Sequence, residues 1–209
     1  MATQLDVYNQ AMGKIGQQRS ITSLGENSVE RIQCDRFYDV SRQASFRDWD
    51  WPFARKYEVI VAGGGSGNST AWTYQYVYPV DCLAPRRIKS PAESTVPHPP
   101  NVERIPFEVA TDSTGAQVIY SNEATPILVY TFDQLDPLNW SSDFVDAISW
   151  KLAWYLAVSV AGSEKWAKLA IDGYISSLNA ARIASIRDER GWLNRDKDSE
   201  YGSITQARF

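Results

Sequence analysis

The sequence has few of the side chains that carry most enzymatic and metal chemistry. Its 209 residues include one histidine and two cysteines. Cys34 and Cys82 lack C-x-x-C spacing and have no histidine nearby, which argues against a zinc site. We expect two reduced, partly buried thiols, although spacing alone leaves a disulfide between them open. The single histidine, His98, stands among prolines and is expected to be a solvated loop residue rather than a catalytic one.

Long apolar runs are also missing. The most apolar stretch, 152–162, is too short to span a bilayer, which takes about 20 residues, so we expect no membrane insertion. The N-terminus lacks the basic and apolar pattern of a secretion signal. The formal net charge is -4, so the chain lacks the overall basic character of a protein that grips DNA phosphates. Such a chain can surround DNA without clamping it.

Apolar periodicity predicts two helices in the first quarter of the chain. Thr3 and Asp6 have the spacing of a capping box, and Gly16 suits the left-handed position after the helix. A second helix is predicted from a cap at Asn27, and Pro52 should end it by restricting the residue before it. The apolar face expected for this second helix comprises Val29, Ile32, Phe37, Val40 and Ala44.

From about residue 53 to residue 134 the periodicity changes to two, which predicts an insertion of short antiparallel strands. The glycine run 63–67 lacks the lysine and Ser/Thr of a phosphate-binding loop, and we expect a flexible hairpin tip there. Pro106 marks an edge strand. One strand carries an aromatic ladder on a single face, which we expect to be mainly core. The ladder comprises Trp72, Tyr74, Tyr76 and Tyr78.

Helical periodicity returns after the insertion. A helix over 142–162 is apolar on most sides, so it should form the centre of a bundle. The last helix should bury Trp166, Ala170, Tyr174, Leu178 and Ala181 and stop at Gly191. The predicted class is therefore α+β: an antiparallel helical bundle interrupted by an antiparallel β insertion, with an extended C-terminal tail. The predicted boundaries are 1–52 and 135–191 for the bundle, 53–134 for the insertion and 192–209 for the tail.

Two further functions stay open on the sequence. The aromatic ladder, with Arg86 and Arg87 close by, has the composition of a module that binds sugar or single-stranded nucleic acid. Asp48 and Asp50 form a carboxylate pair of the kind that a cell-wall hydrolase uses. Paired acids are also common by chance at a helix end, and one aromatic face of a small sheet is usually its core. We therefore expect no enzymatic activity, no cofactor and no metal.

Seven segments carry a family resemblance through their order and spacing. They are VYNQAMGKIG at 7–16, YDVSR at 38–42, RDWDWPFA at 47–54, YQYVYPVDCL at 74–83, LVYT at 128–131, DFVDA at 143–147 and KLAWYLA at 151–157. Together they resemble the phage head-to-tail adaptor family that includes tail tubular protein A. The likeness covers roughly residues 5–200, and its motifs are structural rather than catalytic.

The resemblance implies a structural protein of the virion neck and tail, assembled in the host cytoplasm. Twelve copies would form a ring between the portal and the tail nozzle, and double-stranded DNA would pass through the lumen without sequence-specific binding. The C-terminal tail would reach the portal or a neighbour through Trp192, Arg195, Tyr201, Ile204, Arg208 and Phe209. Possible contacts with the nozzle or a neighbour are Gly64, Gly65, Arg86 and Arg87.

Overall fold

The structure is a computed structural model that describes residues 2–66, 71–91 and 104–206; for 64–66 and 189–206 it describes the backbone alone. The chain forms two compact units: Met1–Ser45 together with Leu135–Phe209, called here the helical unit, and Phe46–Gln134, called the sheet unit. The sheet unit thus begins seven residues before the predicted insertion. The fold is α+β, with helices and antiparallel sheets, as the sequence predicted.

Four α-helices make up most of the helical unit. The capping box predicted at Thr3 is present, with Thr3 and Asp6 bonded in both directions. Gly16 has a φ of 75° and lies in the left-handed region, again as predicted. Ser141 caps the third helix by accepting a hydrogen bond from the Phe144 amide. The helices are α1 (Gln4–Lys14), α2 (Val29–Arg47), α3 (Ser142–Ser159) and α4 (Glu164–Gln206).

Helix α3 lies at the centre of the helical unit, and its apolar residues are buried around most of its circumference. Helix α4 buries Ala170, Tyr174, Leu178 and Ala181, four of the five residues predicted for its inner face. Trp166, the fifth, is half-buried and packs over Gly16, where a Cβ would lie 2.9 Å from its ring.

The predicted buried face of α2 is wrong. Val29, Ile32 and Val40 are exposed, while the opposite side of the helix faces the core with Cys34, Tyr38 and small serines. Ser41 can be buried because its hydroxyl donates to the Phe37 carbonyl at 2.7 Å, which removes the cost of an unpaired polar group. The residue that caps α2 is also Ser28 rather than Asn27, since the Ser28 carbonyl accepts from the Ile32 amide.

The predicted end of α4 is also wrong. The helix continues through Gly191 to Gln206, where an extended tail was expected from residue 192. A single glycine inside a helix costs only about 1 kcal/mol relative to alanine, so it does not by itself end one. No proline lies beyond Pro137 to force a stop.

The sheet unit contains two antiparallel sheets whose neighbours are often not consecutive in sequence, so it is not a simple meander. One sheet has the order β1-β7-β4 and the other β2-β3-β6-β5. Their shared core includes Tyr76, Ile119, Leu128 and Tyr130. The strands are β1 (Arg55–Val59), β2 (Ala62–Ser66), β3 (Tyr74–Val77), β4 (Cys82–Lys89), β5 (Phe107–Thr111), β6 (Gln117–Ser121) and β7 (Ile127–Phe132).

Both cysteines are free and buried, Cys34 in the helical unit and Cys82 in the sheet unit. Burial, with smaller contributions from Asp35 and Glu30, raises the pKa of the Cys34 thiol to about 12. Burial also raises the pKa of Cys82. The expectation of two reduced thiols is therefore met in this structure, and neither thiol is activated as a nucleophile.

Candidate functional site

The predicted portal-binding residues lie on the last part of α4. The backbone places Trp192, Arg195, Tyr201 and Ile204 on this helix, whereas Arg208 and Phe209 lie outside the described residues. A helix presents residues three and four apart on one face, and Tyr201 and Ile204 have that spacing, as do Trp192 and Arg195. The partner that these residues contact stays a prediction.

Helix α4 is much longer than the helix on which it packs. A Cβ on Gly173 would lie 2.6 Å from the Trp150 ring, and the Ser177 hydroxyl donates to Asp146 at 2.6 Å. Position 150 therefore meets 173 while 146 meets 177, so α3 and α4 run antiparallel. Helix α3 begins at Ser142, and the last buried residue on α4 within 164–188 is Ala181. From there to Gln206 is 25 residues (206 minus 181), about 37 Å of helix.

Arg86, predicted to contact a neighbour, makes several hydrogen bonds within the sheet unit. Its guanidinium donates to the carbonyls of Phe46 at 3.0 Å and Trp49 at 2.6 Å, and to the Thr131 hydroxyl at 2.8 Å. Burial lowers the pKa of Arg86, which Asp50 partly offsets. A half-buried guanidinium with these partners holds the sheet unit together, and its contact with a neighbouring protein stays a prediction. Arg87 follows it in β4 and is half-buried.

The glycine run does not form the expected hairpin tip. Gly64 and Gly65 lie within β2, which pairs with β3, because an extended strand needs only backbone groups and glycine adopts that conformation freely. Between these strands, residues 67–70 lie outside the described residues. Strand β2 is at the edge of its sheet, so Gly64 and Gly65 lie on a strand that has a sheet neighbour on one side only.

The aromatic ladder is divided between core and surface. Tyr76 is buried and its hydroxyl donates to the Glu123 carbonyl, and Tyr78 packs against the same core. Tyr74 is 38% exposed, and the indole N–H of Trp72 donates to Glu108 at 2.7 Å. A stacking platform needs successive exposed rings. Of the four rings, Tyr74 is exposed, Trp72 and Tyr78 are half-buried and Tyr76 is buried, so the ladder is mainly buried, as expected.

Of the carboxylate pair Asp48 and Asp50, considered above for hydrolysis, Asp50 forms an ion pair within the protein. Asp50 accepts from the Arg55 guanidinium at 3.0 Å, and Asp48 is exposed. His98 lies outside the described residues. Among the side chains that the structure describes (2–63, 71–91 and 104–188), no group of three or more from His, Cys, Asp or Glu is placed to hold a metal ion.

A polar cluster that the sequence did not reveal lies on the sheet unit. The Tyr130 hydroxyl is 2.6 Å from Glu58 and 2.9 Å from Asp81, and the Lys56 ammonium donates to Asp81 at 2.9 Å. Burial raises the pKa of Asp81, but hydrogen bonds from Lys56 and Tyr130 outweigh it and the net shift is downward. Because the four residues come from β1, β7 and the turn before β4, no local sequence signal marks the cluster. It ties these segments together.

The helical unit has an open groove of about 770 Å³ between α1 and the start of α3. Asp6 and Asp146 are the charged residues in its lining, with Leu138 and Trp140 as the larger apolar ones. Both carboxylates have partners in the unit, since Asp6 accepts from Thr3 and Asp146 forms an ion pair with Lys14 at 2.6 Å. The groove therefore lacks an unsatisfied group that would identify a ligand.

Two comparisons with known proteins, one against protein-family models and one against curated sequences, found no match. Among the described residues, no helix combines the length and the apolar character needed to cross a bilayer. The candidate functional site is the C-terminal part of α4, together with the exposed surface of the helical unit.

Proposed function

We propose that this chain is a non-enzymatic adaptor subunit of a phage particle. Twelve copies would form a ring between the portal and the tail nozzle, in the neck and tail region of the virion, around the genomic double-stranded DNA. The observation that carries the proposal, beside the family resemblance, is the length of α4. Helix α4 has 43 residues, whereas α3, on which it packs, has 18, and a helix of that length is suited to dock its far end in a groove of another polypeptide.

The portal is the proposed acceptor for residues 192–209. Docking would add the apolar and aromatic side chains of this segment to a groove, which stabilises the complex by about 25 cal/mol per Å² of apolar area buried. A ring of identical subunits presents many such helices at once, so the assembled ring binds far more tightly than one helix does. Each individual contact can therefore be weak.

The sheet unit is the proposed region for the second neighbour. Strand β2, with Gly64 and Gly65, lies at a sheet edge, and edge strands accept an added strand or a loop from another chain. The nozzle or a neighbouring subunit is the proposed partner there. A net charge of -4 per chain suits a ring that lets DNA slide, because acidic surfaces repel phosphates.

Removing residues 192–209 tests the portal contact. We expect a folded subunit that no longer joins portal rings, because the truncation keeps Ala170, Tyr174, Leu178 and Ala181, which α4 buries in the helical unit. The measurement is the mass of the complex formed when the chain is mixed with purified portal rings of the same phage. An unmodified ring of twelve chains of 23.5 kDa would add about 280 kDa.

A second variant tests whether portal binding requires the helical conformation of this segment or only its amino-acid sequence. Leu193→Pro keeps every other residue but interrupts the helix, at a cost of about 3 kcal/mol. We expect it to weaken portal binding while leaving the thermal unfolding of the subunit unchanged. If the truncated chain joined portal rings as the full chain does, the proposed role of α4 would be wrong.

A further inference from the structure

We draw no further inference here: the strongest candidate, the open groove between α1 and the start of α3, has an acidic lining in Asp6 and Asp146 whose carboxylates are bonded within the helical unit, and nothing in the structure shows what would cover it.

Discussion

The two units are held together by different physical means. In the helical unit, aromatic rings lie against glycines and cations: Trp150 packs on Gly173, and the Lys14 ammonium sits 4.2 Å from the centre of the Trp150 ring. In the sheet unit, polar side chains reach between distant segments, as Arg86 does to the Phe46 and Trp49 carbonyls. Close approach of helix backbones is thus a feature of the helical unit, and a half-buried guanidinium that joins distant segments is a feature of the sheet unit.

The difference indicates where each unit tolerates change. Close approach fails when volume is added, because the interior has no free space. A hydrogen-bonded clamp fails when one partner is removed, because the remaining buried groups lose their partners. We therefore expect the helical unit to be most sensitive to enlargement at glycine and the sheet unit to truncation of a polar side chain.

The largest expected loss of stability follows removal of the Arg86 clamp, the set of hydrogen bonds that the Arg86 guanidinium donates within the sheet unit. Arg86→Met keeps the length of the side chain but removes its donors to Phe46, Trp49 and Thr131. We expect the free energy of unfolding of the sheet unit to fall by about 3 kcal/mol, since unpaired buried polar groups cost about 1–3 kcal/mol each. Urea unfolding followed by tryptophan fluorescence measures this change.

Arg36→Met is the matched control, because Arg36 is exposed on α2 and its loss should change stability by less than about 0.5 kcal/mol. Arg86→Lys should recover little, since an ammonium cannot reproduce the planar fork of a guanidinium. Equal stability of Arg86→Met and Arg36→Met would show that the clamp is not needed.

A smaller effect is expected at the closest helix approach. In Gly173→Ala the added Cβ would lie 2.6 Å from the Trp150 ring, so α3 and α4 must separate. We expect a loss of about 2 kcal/mol from the helical unit, typical of an overpacked core. Gly13→Ala on α1 is the control, because nothing lies within 4 Å of its Cβ and alanine favours helix there by about 0.5–1 kcal/mol. We therefore expect Gly173→Ala to lower the free energy of unfolding of the helical unit and Gly13→Ala to raise it. Changes in the same direction would contradict this prediction.

The sequence predicted those parts of the fold whose signals are local. The capping box at Thr3, the left-handed Gly16 and the central position of α3 depend on neighbouring residues and were correctly predicted. The aromatic ladder was expected to be core, and Tyr76 is. These features follow from capping chemistry and apolar periodicity alone.

Features that depend on tertiary context were missed. The apolar stripe of α2 was assigned to the core, although the core accepts the serine side, where the Ser41 hydroxyl bonds back to its own helix. Gly191 was taken as a helix end, although one glycine costs little in a helix. Arg86 and the Tyr130 cluster join segments that are far apart in sequence, so no pattern in the chain reveals them.

The smallest expected effect is the dependence of stability on acidic pH through one carboxylate in each unit, Asp146 in the helical unit and Asp81 in the sheet unit. In both Asp146 and Asp81 burial raises the pKa, but hydrogen bonds outweigh it and the net shift is downward; the donors are Lys14 and Ser177 for Asp146, and Lys56 and Tyr130 for Asp81. A carboxyl group with a lowered pKa stabilises the folded state above its unfolded pKa of about 3.9, and this stabilisation is lost as the pH falls through the folded pKa.

We therefore expect Asp146→Asn and Asp81→Asn each to destabilise their own unit at pH 7, and to differ less from the unmodified chain as the pH falls below about 4. Each effect should stay below about 1 kcal/mol, because the two carboxylates are 48% and 41% exposed and solvent screens them. Urea unfolding of the unmodified chain and both variants between pH 3 and pH 7, on the order of one pH unit apart, measures the convergence. If the difference in free energy of unfolding between the unmodified chain and each variant stayed constant over this range, the asparagine variants would lose packing rather than charge. The ion pairs of Asp146 and Asp81 would then contribute nothing to the stability of their units.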